Sequence, residues 1–410
     1  MFDPYKIRKD FPMYSNKTKM QGHDLVFLDN ASTTFKPQCV IDAMNYYNEH
    51  ETSNSHRGDY DTMYHVDTTI EETRKNVAKF INADPEEIVF TSGDTEALNL
   101  VAFGYFKKHL KAGDEILITV AEHASNTLPW FKLQEEIGCK VKFIPLTEEG
   151  RLTVENVKKS ISEKTRVISI ANVTNVLGFY TDLKPICDLA HFSRILVVCD
   201  GAQSVPHMKT DVKQNSVDFL AFSGHKMAGP TGVGVLYGKK ELLKETDPIL
   251  YGGGMNETFN KEGEYELHQA PAKLEAGTKN IQGIYGLNAA INYINNIGIE
   301  NIEKYERDLR KYAIEKMKEI KDIIIYNENA KSGIISFNIK GVFAQDLATL
   351  LNSKGIACRS GNHCAKNLHY QINEIATVRA SLYFYNTKED VDALVDALKE
   401  GGNFLDAYFA

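Results

Sequence analysis

The chain has 410 residues, 43% of them hydrophobic, and carries 47 Lys and Arg against 55 Asp and Glu, a net charge of −8. That apolar share can build a substantial core and argues against disorder. The acidic balance, with no stretch of five or more consecutive basic residues, argues against a general nucleic-acid binder, whose affinity rests on clustered Lys and Arg.

Residues 2–9 read Phe-Asp-Pro-Tyr-Lys-Ile-Arg-Lys and lack the apolar core and cleavage site of a signal peptide. No apolar run approaches the roughly 20 residues of a membrane-spanning helix. The expectation is a cytoplasmic protein with no membrane and no nucleic acid among its partners. From about residue 87 to 237, short β-rich runs alternate with helical or polar segments, at 88–90, 116–120, 141–144, 167–170, 195–198 and 219–222. Several are continuously apolar, as in strands covered on both faces, so the spacing predicts a doubly wound, mainly parallel sheet. Further on, Ile302, Tyr305, Leu309, Tyr312, Ala313, Met317 and Ile320 recur at helical spacing, which predicts an amphipathic helix over 301–320. Strands at 323–326, 334–339 and 356–358, with helices near 344–351 and 388–399, complete a smaller α+β unit.

Ligands of such sheets bind beyond the carboxyl ends of the strands. Asp200 follows one run and Ser223-Gly224-His225-Lys226 another. A lysine at a strand end can form a Schiff base, and a neighbouring carboxylate can keep a pyridine nitrogen protonated, which are the usual protein handles on pyridoxal phosphate. Each alone has an ordinary explanation, a solvated lysine or a helix-capping aspartate. Ser92-Gly93-Asp94-Thr95 offers hydroxyls and free N–H groups to a phosphate. Thr95, Ser223 and His225 are the candidate contacts, while the Asp94 carboxylate should point away or cap a helix. His123 suits a ring-stacking role or a structural one.

The six cysteines, Cys39, Cys139, Cys187, Cys199, Cys358 and Cys364, show no regular spacing and read as reduced thiols. Cys364 sits beside His363 and near Arg359 in a Gly-containing loop, surroundings that favour a thiolate, although an incidental thiol would look the same. Cys358, His363, Cys364 and His369 lack the paired spacing of a structural zinc site, so no metal is expected. Cys358 belongs to the core. Arg379 fits either a substrate carboxylate or a domain-interface salt bridge.

Phe27-Leu28-Asp29-Asn30-Ala31-Ser32-Thr33-Thr34, Asn54-Ser55-His56-Arg57-Gly58, Phe90-Thr91-Ser92-Gly93-Asp94-Thr95-Glu96-Ala97-Leu98-Asn99 and Glu122-His123-Ala124-Ser125-Asn126 resemble motifs of the cysteine desulfurases. So do Asn175-Val176-Leu177-Gly178, Asp200-Gly201-Ala202-Gln203, Ser223-Gly224-His225-Lys226, Glu275-Ala276-Gly277-Thr278 and Arg379-Ala380-Ser381, in order over roughly residues 3–398. The segment Arg359-Ser360-Gly361-Asn362-His363-Cys364-Ala365 is similar to the SufS-like, group II branch of these enzymes within the class V aminotransferases. Two departures are Asn362, where that branch usually has histidine, and Asp94, where the family usually has threonine or a small residue.

The resemblance implies fold type I of the pyridoxal-phosphate enzymes, an α/β fold with a large, mainly parallel domain, a smaller α+β domain and a homodimeric assembly. Its implied divisions are an N-terminal segment, 1–22, packing with the small domain, a large cofactor-binding domain, 23–290, and a small domain, 291–410, carrying the Cys364 loop. It implies pyridoxal 5'-phosphate carried by Lys226, with Asp200 at the ring nitrogen, Gln203 at the ring hydroxyl and His123 on the ring face. Thr95, Ser223 and His225 would hold the phosphate, joined by Thr278 from the partner subunit. Asn175, Arg379 and, as a second candidate, Arg359 would position L-cysteine, and Cys364, in a loop expected to bury its thiol, would accept the sulfur. The implied activity converts cysteine to alanine, and a SufE-like or SufU-like acceptor protein would carry sulfur to iron-sulfur cluster assembly. Selenocysteine lyase and a catalytically silent scaffold are the competing readings.

Overall fold

Each of the six β-rich runs falls in a strand of one seven-stranded sheet in the computed structural model, which describes residues 2–55 and 59–399. The strands are β1 (Ile88–Thr91), β2 (Glu115–Thr119), β3 (Lys140–Ile144), β4 (Thr165–Ala171), β5 (Leu196–Asp200), β6 (Phe219–Ser223) and β7 (Gly234–Gly238). Their order is β1-β7-β6-β5-β4-β2-β3. β2, β3, β4, β5 and β6 pair in parallel, whereas β7 runs antiparallel to both of its neighbours. β7 escaped the sequence reading because its three apolar residues lie between glycines at the end of a Gly-rich stretch, which reads as loop. Gly234 is required by packing: a Cβ there would stand 2.4 Å from Gly93 Cα, so its absence lets β7 press against the turn after β1.

Both faces of the sheet are covered, which is why the central strands are continuously apolar. On one face Val66, Ile70 and Val77 of helix Asp61–Ile81 and Ile284, Leu287 and Ile291 of helix Ile281–Ile297 share a core with Phe90, Ile168 and Phe222. On the other, Trp130 and Leu133 of helix Leu128–Ile137 pack with Val89, Ile116 and Val198. Strand β3, at the edge, exposes Lys140 and Lys142, charges that discourage pairing with another strand.

A second sheet combines β8 (Ile323–Ile325), β9 (Ile334–Ile339), β10 (Arg359–Gly361) and β11 (Thr377–Ser381) in the order β8-β9-β11-β10, all antiparallel. Phe337, Val378, Leu347 of helix Ala344–Ser353 and Leu394 of helix Lys388–Lys399 form its core. The strand expected at 356–358 is Ile356–Ala357, and it pairs outside this sheet, in parallel with Val26–Phe27. Cys358 lies half-buried against the smaller core. β10 follows at once, and its Arg-Ser-Gly sequence carries no apolar alternation by which it could be read.

The amphipathic helix spans Ile299–Met317 and joins the two cores, with Ile302 in the larger and Leu309, Ala313 and Met317 in the smaller. Residue 290 lies inside helix Ile281–Ile297, so the chain passes from one core to the other along the following helix. Near the N-terminus, Tyr5 Oη donates to Glu389 at 2.9 Å and Arg8 pairs with Asp390 at 3.0 Å, both on or beside the last described helix. Phe11 instead packs on Tyr293, Phe384 and Tyr385 of the larger core. His56, Arg57 and Gly58 of the Asn54-Ser55-His56-Arg57-Gly58 motif lie outside the described residues, as do Met1 and 400–410.

Candidate active site

The parallel strands end on one rim, and a cavity of about 200 Å³, partly open to solvent, lies between that rim and the second sheet. Eleven of the twelve residues singled out by the sequence line it: Thr95, His123, Asn175, Asp200, Gln203, Ser223, His225, Lys226, Arg359, Cys364 and Arg379. The twelfth, Thr278, lies apart from it, beside Asn54, Ser55 and Gly277 in a different depression.

The sheet places the first group. Asp200 closes β5, and its Oδ1 accepts the Ala202 N–H at 2.9 Å, which orients the carboxylate over the strand end. Lys226 stands in the connection from β6 to the antiparallel β7. Loss of solvent lowers its ammonium pKa, while Asp200 and Asp94 oppose the change, so the amine is more easily freed of its proton than a surface lysine. Gln203 Nε2 donates to Ala31 C=O at 2.7 Å and its Oε1 is buried without a partner.

Beside them runs a small polar relay. His123 Nδ1 accepts the Ser125 N–H at 3.1 Å, and Ser125 Oγ is hydrogen bonded to Thr95 Oγ1 at 2.7 Å. Burial lowers the His123 pKa, favouring the neutral ring. Ser125 joins the site beyond the residues the sequence singles out; its place two residues after His123 is the signal that marks it. Ser223 Oγ accepts the Asp94 N–H at 2.9 Å. The His225 carbonyl is held by Thr34 N–H at 3.0 Å, and burial beside Lys226 lowers its imidazole pKa to about 4.

Asp94 departs from expectation. Its side chain neither turns away nor caps a helix: the residue lines the cavity and its Oδ1 is buried with no hydrogen-bond partner. Gly93, whose side-chain-free backbone precedes it, occupies the cap position instead.

The second sheet supplies the arginines and the thiol. Arg359 on β10 and Arg379 on β11 stand directly opposite each other, and both donate to Ser32 Oγ, at 3.0 and 2.8 Å. Like charges across a ladder repel, so the pairing concentrates positive charge at this wall. Arg379 also donates to Asp29 Oδ1 at 3.1 Å and to Asn175 C=O at 2.9 Å, and its Nε remains unpartnered. Asp29 and Ser32 thus join the site through Arg379, a contact that their N-terminal motif alone does not reveal.

Cys364 is exposed, against the expectation of a buried thiol. The reason is local: His363 and Cys364 both adopt left-handed backbone conformations, φ 50° and 59°, which turn the loop so that its histidine goes inward and its cysteine outward. His363 does not face the thiol as a charged neighbour. Its Nε2 lies 3.0 Å from Thr377 C=O, its Nδ1 has no partner, and burial beside Arg379 takes its pKa down to about 2. Asn362 Nδ2 donates to Ile375 C=O at 2.5 Å, so the residue that departs from the family pattern anchors the loop.

The orphaned buried atoms, Gln203 Oε1, Asn175 Oδ1, Asp94 Oδ1 and Arg379 Nε, surround one cavity that also holds a lysine, a carboxylate at a strand end and a hydroxyl cluster. Buried polar groups without partners are rare, and this donor and acceptor set fits a phosphorylated pyridine carrying an amino-acid substrate.

Residues 26–394 match the family model described as Aminotransferase class-V. Probable cysteine desulfurases of Halalkalibacterium halodurans and Staphylococcus aureus are each 42% identical to the chain, covering 99% and 100% of it and 99% of their own lengths. The chain belongs to the cysteine desulfurases of the class V aminotransferase family. A solved cysteine desulfurase of Escherichia coli superposes with a TM-score of 0.91 at 36% identity, covering 99% of both chains. Another, from Thermococcus onnurineus, gives 0.92 at 38% identity over 98% of both. Members of this family use pyridoxal 5'-phosphate, and the fold is the α/β fold of those enzymes. Among the described residues no helix is long and apolar enough to cross a membrane.

Proposed function

We propose that the protein converts L-cysteine to L-alanine and keeps the sulfur as a persulfide on Cys364, for transfer to an acceptor protein that serves iron-sulfur cluster assembly. The observation that carries this reading is the sharing of one cavity by Lys226, Asp200, the Arg359–Arg379 wall and an exposed Cys364.

Lys226, Asp200, Gln203, His123, Thr95, Ser223 and His225 hold pyridoxal phosphate, with Thr278 of a second copy completing the phosphate site. When bound, the cofactor supplies an aldehyde for the substrate amine and a ring that accepts electrons from Cα. Arg379 binds the substrate carboxylate through paired N–H groups, exchanging its contacts with Ser32 and Asp29 for those of the ligand. Arg359 adds charge at the same wall, and Asn175 fixes the carboxylate's orientation. The Lys226 amine, whose pKa burial lowers, takes the Cα proton at Nζ. Cys364 Sγ, as thiolate, then attacks the substrate's sulfur: an S–S bond forms, the substrate Cβ–S bond breaks, and protons delivered to Cβ and Cα complete alanine. His123 packs over the ring and excludes water from that face.

Exposure of Cys364 suits hand-over to a protein thiol, SufE-like or SufU-like, in a cytoplasmic homodimer of the SufS-like branch. The deciding experiment is incubation with cysteine followed by mass spectrometry of the Cys364 peptide. An added sulfur of about 32 Da is expected on Cys364; turnover of cysteine with an unmodified Cys364 overturns the assignment.

A further inference from the structure

One acidic residue of the cavity, Asp94, has no part in the chemistry of Lys226 and Cys364. Asp94 is 6% exposed, its Oδ1 has no partner, and it lines the cavity together with Thr95, Ser223 and His225. Its backbone is fixed there, because its N–H donates to Ser223 Oγ at 2.9 Å. An ionised carboxylate at this place would repel a bound phosphate dianion and would stay buried without a donor, a costly arrangement on both counts.

The titratable groups around Asp94 come from four parts of the chain. Asp200, at the end of β5, disfavours a second negative charge, and Lys226, from the connection between β6 and β7, favours it. His123 and His225 are both held towards their neutral forms and offer no compensating charge. Glu96, on Asp94's own helix, turns back to accept the Ser92 N–H at 2.7 Å. Burial and Asp200 together outweigh Lys226 and raise the Asp94 pKa well above the usual carboxylate value.

We propose that Asp94 binds the cofactor's phosphate as a neutral carboxylic acid, donating its O–H to a phosphate oxygen. It thereby does what a hydroxyl would do at the same place, with one difference: the donor is lost when the acid ionises. Phosphate affinity therefore weakens as pH rises, and the protein holds its cofactor more tightly in mildly acidic than in alkaline solution. The inference rests on the pyridoxal-phosphate site proposed above.

The test follows cofactor retention by the holoprotein. Equilibrium dialysis against pyridoxal phosphate from pH 6 to 9 is compared for the wild type, Asp94→Asn and Asp94→Thr, both of which keep a donor at every pH. The wild type should lose about tenfold more affinity across that range than either variant, the worth of one hydrogen bond to a charged acceptor. Pyridoxal, which lacks the phosphate, should bind all three with the same pH profile. Parallel profiles for the wild type and both variants with pyridoxal phosphate overturn the proposal. If one variant fails to fold, the other decides. A wild type that retains no pyridoxal phosphate at any pH instead removes the cofactor site itself, and this inference with it.

Discussion

The main-chain N–H of Ala124 donates to the carbonyl of Cys364 at 2.8 Å, tying the residue after His123 to the loop that carries the exposed thiol. The bond joins the segment after β2 of the seven-stranded sheet to the loop after β10 of the four-stranded one. Asn175 makes a second tie, its Nδ2 donating to the His363 carbonyl at 2.6 Å while its own carbonyl accepts from Arg379 at 2.9 Å. The thiol's position is thus set by main-chain atoms anchored on the large sheet, leaving the side chain free at the cavity mouth.

Because no part of the loop's anchoring uses the thiol, Cys364→Ala should fold and retain cofactor as the wild type does. Alanine release from cysteine should fall by at least about 100-fold, the scale of losing a nucleophile, whereas selenocysteine should still be turned over. Amino-acid analysis after incubation with each substrate makes the comparison. Undiminished alanine release from cysteine would remove Cys364 from the mechanism.

Arg379→Lys should raise KM for cysteine by about tenfold or more, with cofactor absorbance unchanged. Lysine keeps the charge but cannot span Ser32, Asp29 and Asn175, nor offer a planar pair of donors to a carboxylate. Arg359→Lys, which touches only Ser32 among those partners, should have the smaller effect. Steady-state kinetics in which Arg359→Lys raises KM more than Arg379→Lys would exchange the two assignments.

Long-range pairing divides what the sequence makes legible from what it hides. The strands β1, β2 and β4–β6 are buried on both faces and announce themselves as apolar runs, and the residues after them proved to be those on the rim. β10 stayed hidden because its side chains serve the cavity rather than a core. Asp29 and Ser32 lie almost 350 positions from Arg379, and periodicity carries no information about which arginine they meet. The outward turn of Cys364 depends on left-handed backbone at His363 and Cys364, which no periodicity announces, and the buried thiol implied by the resemblance is not what the loop shows.

His363 gives the protein an acid weakness. Its folded pKa is lowered to about 2 by burial beside Arg379, against about 6.5 for an unfolded chain. The unfolded state therefore binds the extra proton first, and stability is lost as pH falls below about 6.5, by up to about 1.4 kcal/mol per pH unit. Urea titrations from pH 7 to 5 should show this decline. In His363→Gln, which cannot take up the proton, the slope should be shallower; an unchanged slope would mean that the imidazole is already solvated.

Glu275 carries a structural role for a motif that lies apart from the cavity. Its carboxylate takes two hydrogen bonds from Arg74, at 2.7 and 3.0 Å, and the Phe90 N–H of β1 at 2.8 Å, while Arg74 also donates to Ile88 C=O at 2.7 Å. The pair is buried, and the cluster clamps the strand that leads into the Ser92–Thr95 turn to the segment that carries Thr278. Glu275→Ala would leave the buried Arg74 guanidinium with the Ile88 carbonyl, the Phe90 ring and the exposed Glu71, remove the carboxylate that lies 3.3 Å from the buried Lys279 ammonium, and leave the Phe90 N–H without its acceptor. A loss of about 3–5 kcal/mol of stability is expected, because the uncompensated charge costs more than the pair contributed. Thr278→Ala touches none of this and should leave the urea midpoint unchanged while weakening cofactor retention. The two variants together separate scaffold from ligand contact: a Glu275→Ala protein as stable as the wild type would mean that water reaches Arg74, and a Thr278→Ala protein with full cofactor affinity would remove that hydroxyl from the phosphate site.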